Sequence, residues 1–290
     1  MQTVGPSVNQ PSVEERFLAL DGSRMRYLHA GAGPPVVLVH GLMGYSFSWR
    51  NTVPALAERF EVFAIDALGT GYSDRPTALD CSLKACGQRL LRFMDGVSGS
   101  PFDVLGTSHG GAVAMMAAAS LPERVRRLIL VDPVNPWAPR GRGLAPFLSH
   151  ALVAPLFVQL ASRSRSLRRY YFRRLWGDPR RIPSSTFEGY MRPLQRADAW
   201  GYGISVLRRW SADLQELELA LPRIANIPAL LIWGSRDKAV APASAEHLKQ
   251  NFRQCQLVMM DGIGHLPYEE APDEFNRVVR EFLLSRSISP

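Results

Sequence analysis

The run PPVVLVH at 34–40 is apolar almost throughout. A strand reads that way when both of its faces are buried, which is the habit of parallel sheets covered by helices. The rest of the chain repeats the theme. Strand-like runs occur at RFLAL (16–20), RMRYLHA (24–30), EVFAID (61–66), FDVLGT (102–107), RVRRLILVD (124–132), PALLIWG (228–234) and CQLVMMD (255–261). Between and after them, 49–60, 80–97, 109–121, 242–253 and 272–286 have helical character. Along 80–97, Leu83, Leu90, Leu91 and Met94 fall on one side. Alternation of this kind predicts an α/β fold: a mostly parallel eight-stranded sheet with helices on both faces.

One segment breaks the alternation. Residues 136–222 hold several helical stretches, many prolines and little strand pattern. They also hold fourteen arginines, no lysine and six acids, so they carry the chain's whole net charge of +8 and leave the rest neutral. This predicts a separate unit: a helical insertion after the sixth strand, folded over the carboxyl edge of the sheet. The core is then 16–135 plus 223–290, and residues 1–15 form a flexible polar arm. The first sixteen residues lack the basic start and apolar centre of a signal peptide. Three cysteines (Cys81, Cys86, Cys255) form no ligand cluster, and reduced thiols in a cytoplasmic protein are the expectation. No apolar run reaches the roughly 20 residues of a membrane span.

The stretch GTSHGG (106–111) joins an apolar strand to a helix of small residues. Ligands of open α/β sheets bind outside the carboxyl ends of the strands. A nucleophile placed there must stand on a tight turn, and such a turn leaves no room for a Cβ two residues before or after it. That explains Gly106 and Gly110 around Ser108, while Gly111 lets the helix pack closely. The backbone N–H of His109, at the helix N-terminus, can donate to an oxyanion. A plain glycine-rich turn is the bland alternative, and the phosphate-loop patterns G-x-x-x-x-G-K-[ST] and G-x-G-x-x-G are absent.

A serine hydroxyl needs a base, and the base needs an orienting acid. Asp237 follows the seventh strand in WGSRDKAVAP, and His265 follows the eighth in DGIGHLPYEEAP. Both project over the edge that carries Ser108. Asp132, at the end of the sixth strand, is the alternative acid. Of the other histidines, His29 sits inside a strand, His150 lies in the insertion and His247 is in a polar helix.

The pieces HGLMG (40–44), DALGTGYSDRP (66–76), GTSHGG, WGSRD and GIGHLPYEEAP, in that order, make the chain resemble the α/β-hydrolase superfamily in its capped, serine-hydrolase branch. The likeness frames nearly everything from 16 to 286 but not the insertion. It implies Ser108 as nucleophile, His265 as base and Asp237 as acid. It implies a second oxyanion N–H from Leu42, with the His40 ring bracing that loop. Dehalogenases and epoxide hydrolases of this fold carry an aspartate nucleophile, which Ser108 is not. Carbon–carbon hydrolases often have a longer HGGGPG-type loop and a tryptophan where Leu266 stands.

The expectation is therefore a hydrolase of a carboxylic ester or related acyl compound, acting through an acyl-enzyme on Ser108. Thioesterase, acyltransferase or carbon–carbon hydrolase chemistry on the same triad remains open, as does a receptor that keeps the triad only to bind. No cofactor and no metal are expected. The partner is a small acyl or ester substrate with an apolar part, and no recognition motif supports nucleic acid. For the arginine-rich insertion the favoured reading is a solvated basic outside and an apolar inside, with Phe147, Phe157, Tyr170, Trp176, Trp200 and Trp210 suited to a pocket. Contact with a membrane surface is the less favoured one.

Overall fold

The computed structural model describes residues 12–138 and 144–285. Eight strands form one sheet: β1 (Glu14–Leu20), β2 (Ser23–Ala30), β3 (Pro35–Val39), β4 (Glu61–Ile65), β5 (Phe102–Thr107), β6 (Val125–Val131), β7 (Ala229–Gly234) and β8 (Cys255–Met260). Their spatial order is β1-β2-β4-β3-β5-β6-β7-β8. β1 pairs antiparallel with β2, and β2 antiparallel with β4; every other pairing is parallel.

The helices of the core are α1 (Val53–Ala57), α2 (Leu83–Val97) and α3 (His109–Ser120), and after the insertion α9 (Ser244–Lys249), α10 (Pro267–Glu270) and α11 (Pro272–Leu284). Between β6 and β7 lie α4 (Leu144–Ser149), α5 (Ala154–Arg163), α6 (Arg165–Arg174), α7 (Ser184–Leu194) and α8 (Gly201–Ala220), which form the cap.

The central strands are buried on both faces, so the alternation along each strand sorts its side chains into two cores. Val37, Val39, Val104, Leu128, Leu130 and Leu231 pack with α2 and α3 on one side. Val36, Leu38, Leu105, Ile129, Leu230 and Ile232 pack with α1 and α11 on the other. The cap reaches both: Tyr202, Val206 and Leu214 of α8 join the first core, and Phe172 of α6 with Phe187 and Tyr190 of α7 join the second. α2 starts at Ser82, whose side chain accepts from the Ala85 N–H at 3.2 Å, and buries Leu83, Leu90, Leu91 and Met94 as its spacing predicts. α3 is buried from His109 to Ala119, which only small side chains permit between a sheet and its flanking helices.

Some boundaries differ from the sequence reading. β1 begins at Glu14, two residues inside the expected arm, because Glu14 and Glu15 pair in register with His29 and Leu28. They sit on an exposed edge strand, so hydropathy gives no sign of them. The rest of the expected arm, 1–11, and residues 139–143 of the insertion lie outside the described residues. The helical character of 49–60 resolves into a 3-10 turn (Ser46–Trp49) and the short α1, and that of 242–253 contracts to α9. Cys81, Cys86 and Cys255 are free thiols. Among the described residues no helix is long and apolar enough to cross a membrane.

Candidate active site

Ser108 is the residue between β5 and α3, and its backbone is strained: φ is +53° and ψ −123°. A serine holds that conformation only when its surroundings force it. Here the Ser108 N–H donates to the Val131 carbonyl at 2.9 Å, and the Ser108 carbonyl accepts from Gly111 and Val134 N–H at 3.0 Å each. The glycines are sterically required. A Cβ on Gly106 would lie 2.5 Å from the Gly110 oxygen, and one on Gly110 would collide with the carbonyls of Val39 and His40. Gly111 faces Pro133, so the close packing it permits is against the loop after β6.

Two backbone N–H groups flank this turn. His109 is the first residue of α3, so its N–H has no acceptor inside the helix. Leu42 is the second residue of a turn closed by the Gly44 N–H on the Gly41 carbonyl at 3.0 Å, with Met43 held at φ +62°. The His40 ring fixes that turn. Its Nε2 accepts from the Ala67 N–H at 3.1 Å, so Nδ1 carries the proton and donates to the Gly41 carbonyl at 2.8 Å. Burial depresses the pKa of this ring, which suits a neutral bracing group.

His265 and Asp237 meet at the far end of the sheet. The His265 Nδ1 lies 2.7 Å from Asp237 Oδ2, and both side chains are buried. Asp237 Oδ1 accepts from the N–H groups of Ala239 (2.6 Å) and Val240 (3.1 Å), which fixes the carboxylate. The loops bearing the two residues are tied together by the Arg236 N–H on the Ile263 carbonyl at 2.8 Å. Asp132 is also beside them but makes a different bond: its Oδ1 accepts from the Gly234 N–H at 3.0 Å. No donor faces its Oδ2. Burial, and then the neighbouring Asp237 carboxylate, push the Asp132 carboxyl well above the usual carboxylate range. That direction favours the neutral form of the Asp132 carboxyl.

Among the described residues, Asp132, Asp237 and His265 form the group whose ligand atoms, within 4.8 Å of one another, could hold a metal ion. His265 Nδ1 is engaged with Asp237 Oδ2, and Asp237 Oδ1 and Asp132 Oδ1 each accept from backbone N–H groups, so the donor set fits a hydrogen-bonded pair better than a cation.

Ser108, His109, Leu42 and His265 all line one cavity of about 700 Å³, within the size range of small-molecule sites. Its wall is mostly apolar and comes from core and cap together. Phe157, Trp200 and Trp210 line it as expected, but Phe147 and Tyr170 are exposed on the outside and Trp176 is buried in the core instead. His109 turns its ring into a buried site edge-on to Tyr202, with Nε2 lacking a partner, and burial lowers its pKa to about 4. His29 pairs with Glu61 at the sheet edge, and the ring of His247 stacks on Trp137.

Sequence reasoning missed the two acids that follow the histidine. Glu270 accepts from the N–H of Gly264 at 2.8 Å and from that of Gly177, a cap residue, at 2.9 Å. Glu269 holds Arg50 through two bonds of 2.5 and 2.6 Å and accepts from Tyr190 of α7 at 2.7 Å. The His265 N–H itself donates to the cap's Leu175 carbonyl at 2.6 Å. The histidine loop is thus clamped between core and cap. Two adjacent acids in an otherwise apolar, buried motif were the available signal.

Comparison with known proteins now bears on this geometry. The alpha/beta hydrolase fold family matches residues 34–272. The chain belongs to that family. It is 28% identical over 276 residues to haloalkane dehalogenase 2 of Mycobacterium tuberculosis, covering 92% of this chain and 94% of the relative. It is 28% identical over 270 residues to lipase 1 of Psychrobacter immobilis, covering 92% and 83%. Among solved structures, a putative lipase from Acinetobacter baumannii superimposes with a TM-score of 0.82 over 94% of this chain and 91% of that one, at 22% identity. This α/β hydrolase is accordingly a hydrolase with an eight-stranded sheet and a helical cap, and its relatives span more than one chemistry.

Proposed function

We propose that this α/β hydrolase is a serine hydrolase of carboxylic esters whose acyl or alcohol part is apolar. One observation carries the reading: Ser108, on a strained elbow, lines an apolar cavity that is also lined by His265, whose ring is paired with the buried Asp237. Ser108 Oγ attacks the carbonyl carbon while His265 Nε2 takes its proton. Asp237 holds the ring by Nδ1 and stabilises the imidazolium. The N–H groups of Leu42 and His109 receive the oxyanion. The alcohol leaves with the proton from His265, and an acyl ester stays on Ser108. Water, deprotonated by the same ring, attacks that ester, and the acid departs. The chemistry runs without a metal or organic cofactor.

The similarity to a haloalkane dehalogenase does not transfer its reaction. A serine that displaced halide from an alkyl carbon would become an ether, which water and imidazole cannot cleave. A serine nucleophile suits acyl carbon, where the adduct is an ester that turns over.

The test is a series of nitrophenyl esters of increasing acyl length, with Ser108→Ala as control. Turnover is expected to favour chains that fill the cavity. It should fall by at least about 10⁴-fold in the variant with the fold intact. Turnover retained in Ser108→Ala, or absent for every ester, overturns the proposal.

A further inference from the structure

Helix α5 is apolar on two sides. Phe157 and Ala161 line the cavity. Leu156 and Leu160 do not: they are 67% and 56% exposed, and Leu152, just before the helix, is 83% exposed. Spacing of four residues puts Leu156 and Leu160 in one row along the helix, and Leu152 precedes them in the turn at 151–153. Phe147 of α4 adds a fourth exposed apolar side chain at 61%. Scattered exposed leucines are ordinary, but a row of them on one helix requires a reason.

The neighbouring charge supplies it. From 144 to 175 the chain has six arginines and no acid. Arg165 pairs with Glu188 of α7, and Arg168 donates to the carbonyls of Ala161 and Ser162. Among the described residues no ion pair holds Arg163, Arg169, Arg173 or Arg174, and all four are exposed. The exposed rings of Tyr170 and Tyr171 lie between them in sequence. A leucine row beside basic and tyrosine-bearing surface is the composition of a helix lying in the interface of a bilayer.

We propose that the outer face of α4, α5 and α6 docks on anionic lipid. The leucines and Phe147 enter the acyl region, and the arginines meet phosphate groups. A second copy of the chain fits this face poorly, because a symmetric pairing would set arginine against arginine. Tyr171 and Arg174 of α6 are exposed and also line the cavity, as does Lys238 of the loop after β7, so α6 joins the cavity wall to the surface. Docking would bring the α6 part of the cavity wall to the membrane, the side from which an apolar substrate would be supplied. The docking itself does not depend on Ser108 being the nucleophile.

The experiment uses the full chain with phosphatidylcholine vesicles, with or without phosphatidylglycerol, and reads co-flotation. Two variants accompany it: Leu152→Ser/Leu156→Ser/Leu160→Ser and Arg163→Gln/Arg169→Gln/Arg173→Gln. None of these residues lines the cavity. Circular dichroism and turnover of a water-soluble ester report whether each variant is folded, separately from binding.

Binding to the phosphatidylglycerol vesicles that weakens in high salt, and that falls at least about tenfold in each variant, supports the proposal. No flotation of the wild type, equal binding to uncharged vesicles at every salt, or variants that bind like wild type overturn it. So does a stable dimer in solution that the leucine variant abolishes, since the row would then belong to a second copy.

Discussion

The His109 ring makes the fold sensitive to acid in a calculable way. It is 3% exposed, its Nε2 has no partner, and burial lowers its pKa from 6.5 to about 4. The unfolded chain therefore takes up this proton as pH falls through 6.5, while the folded chain resists until about 4. Between those values the unfolded state binds more protons, so stability is complete above the unfolded pKa and drains away as pH drops. At about 1.4 kcal/mol per unit of separation, the loss is about 2 kcal/mol by roughly pH 5 and about 3 kcal/mol by roughly pH 4. His109→Phe keeps an aromatic ring against Tyr202 and the backbone N–H, but cannot titrate. Urea unfolding of both proteins at about pH 7 and about pH 5 measures the difference. Wild type is expected to lose about 2 kcal/mol more than the variant over that interval, because other titrating groups are common to both. Equal losses would refute the assignment of a buried, neutral His109.

Further substitutions at four positions probe the site. Asp237→Asn removes the charge that faces His265 and is expected to lower kcat by about 10³ to 10⁴-fold. Asp132→Asn keeps an acceptor for the Gly234 N–H and leaves the Asp237–His265 pair in place, and should cost less than about tenfold. Similar losses in the two would show that the acids are wrongly assigned. Gly110→Ala drives a methyl into the Val39 and His40 carbonyls and is expected to destabilise by about 3 kcal/mol or more, read as a lowered melting temperature. Glu270→Ala strands the N–H groups of Gly264 and Gly177, at about 1–3 kcal/mol each, and should lower both stability and kcat; Glu270→Gln, which can still accept, should recover part of each.

What could be read from the sequence followed from local chemistry. VVLV and LLIW are apolar without pause because their strands lie between two helix layers, so the parallel sheet was visible in them. GTSHGG was legible because the turn excludes Cβ atoms at fixed offsets from Ser108. Asp237 and His265 were legible because each stands in the first turn beyond a strand. Longer-range facts were not. Glu269 finds Arg50 across 219 residues, and nothing near either announces the pair. The bond between Asp132 Oδ1 and the Gly234 N–H is another, since it joins residues 102 positions apart. The split of α5 into a cavity face and an outer face could not be read from a segment apolar on both sides. Aromatic character alone suits Phe147 of α4 and Tyr170 of α6 to a pocket, and the structure puts both outside.

Intact-protein mass spectrometry after brief exposure to a fluorophosphonate reads the nucleophile itself, because a hydroxyl that a neighbouring base activates displaces fluoride from phosphorus far faster than an ordinary one. If Ser108 is the nucleophile, one adduct per chain is expected, located by peptide mapping at Ser108. Loss of that adduct in Ser108→Ala and strong slowing in His265→Ala are expected with it. A wild-type protein that stays unlabelled, or an adduct that survives Ser108→Ala, would contradict that assignment.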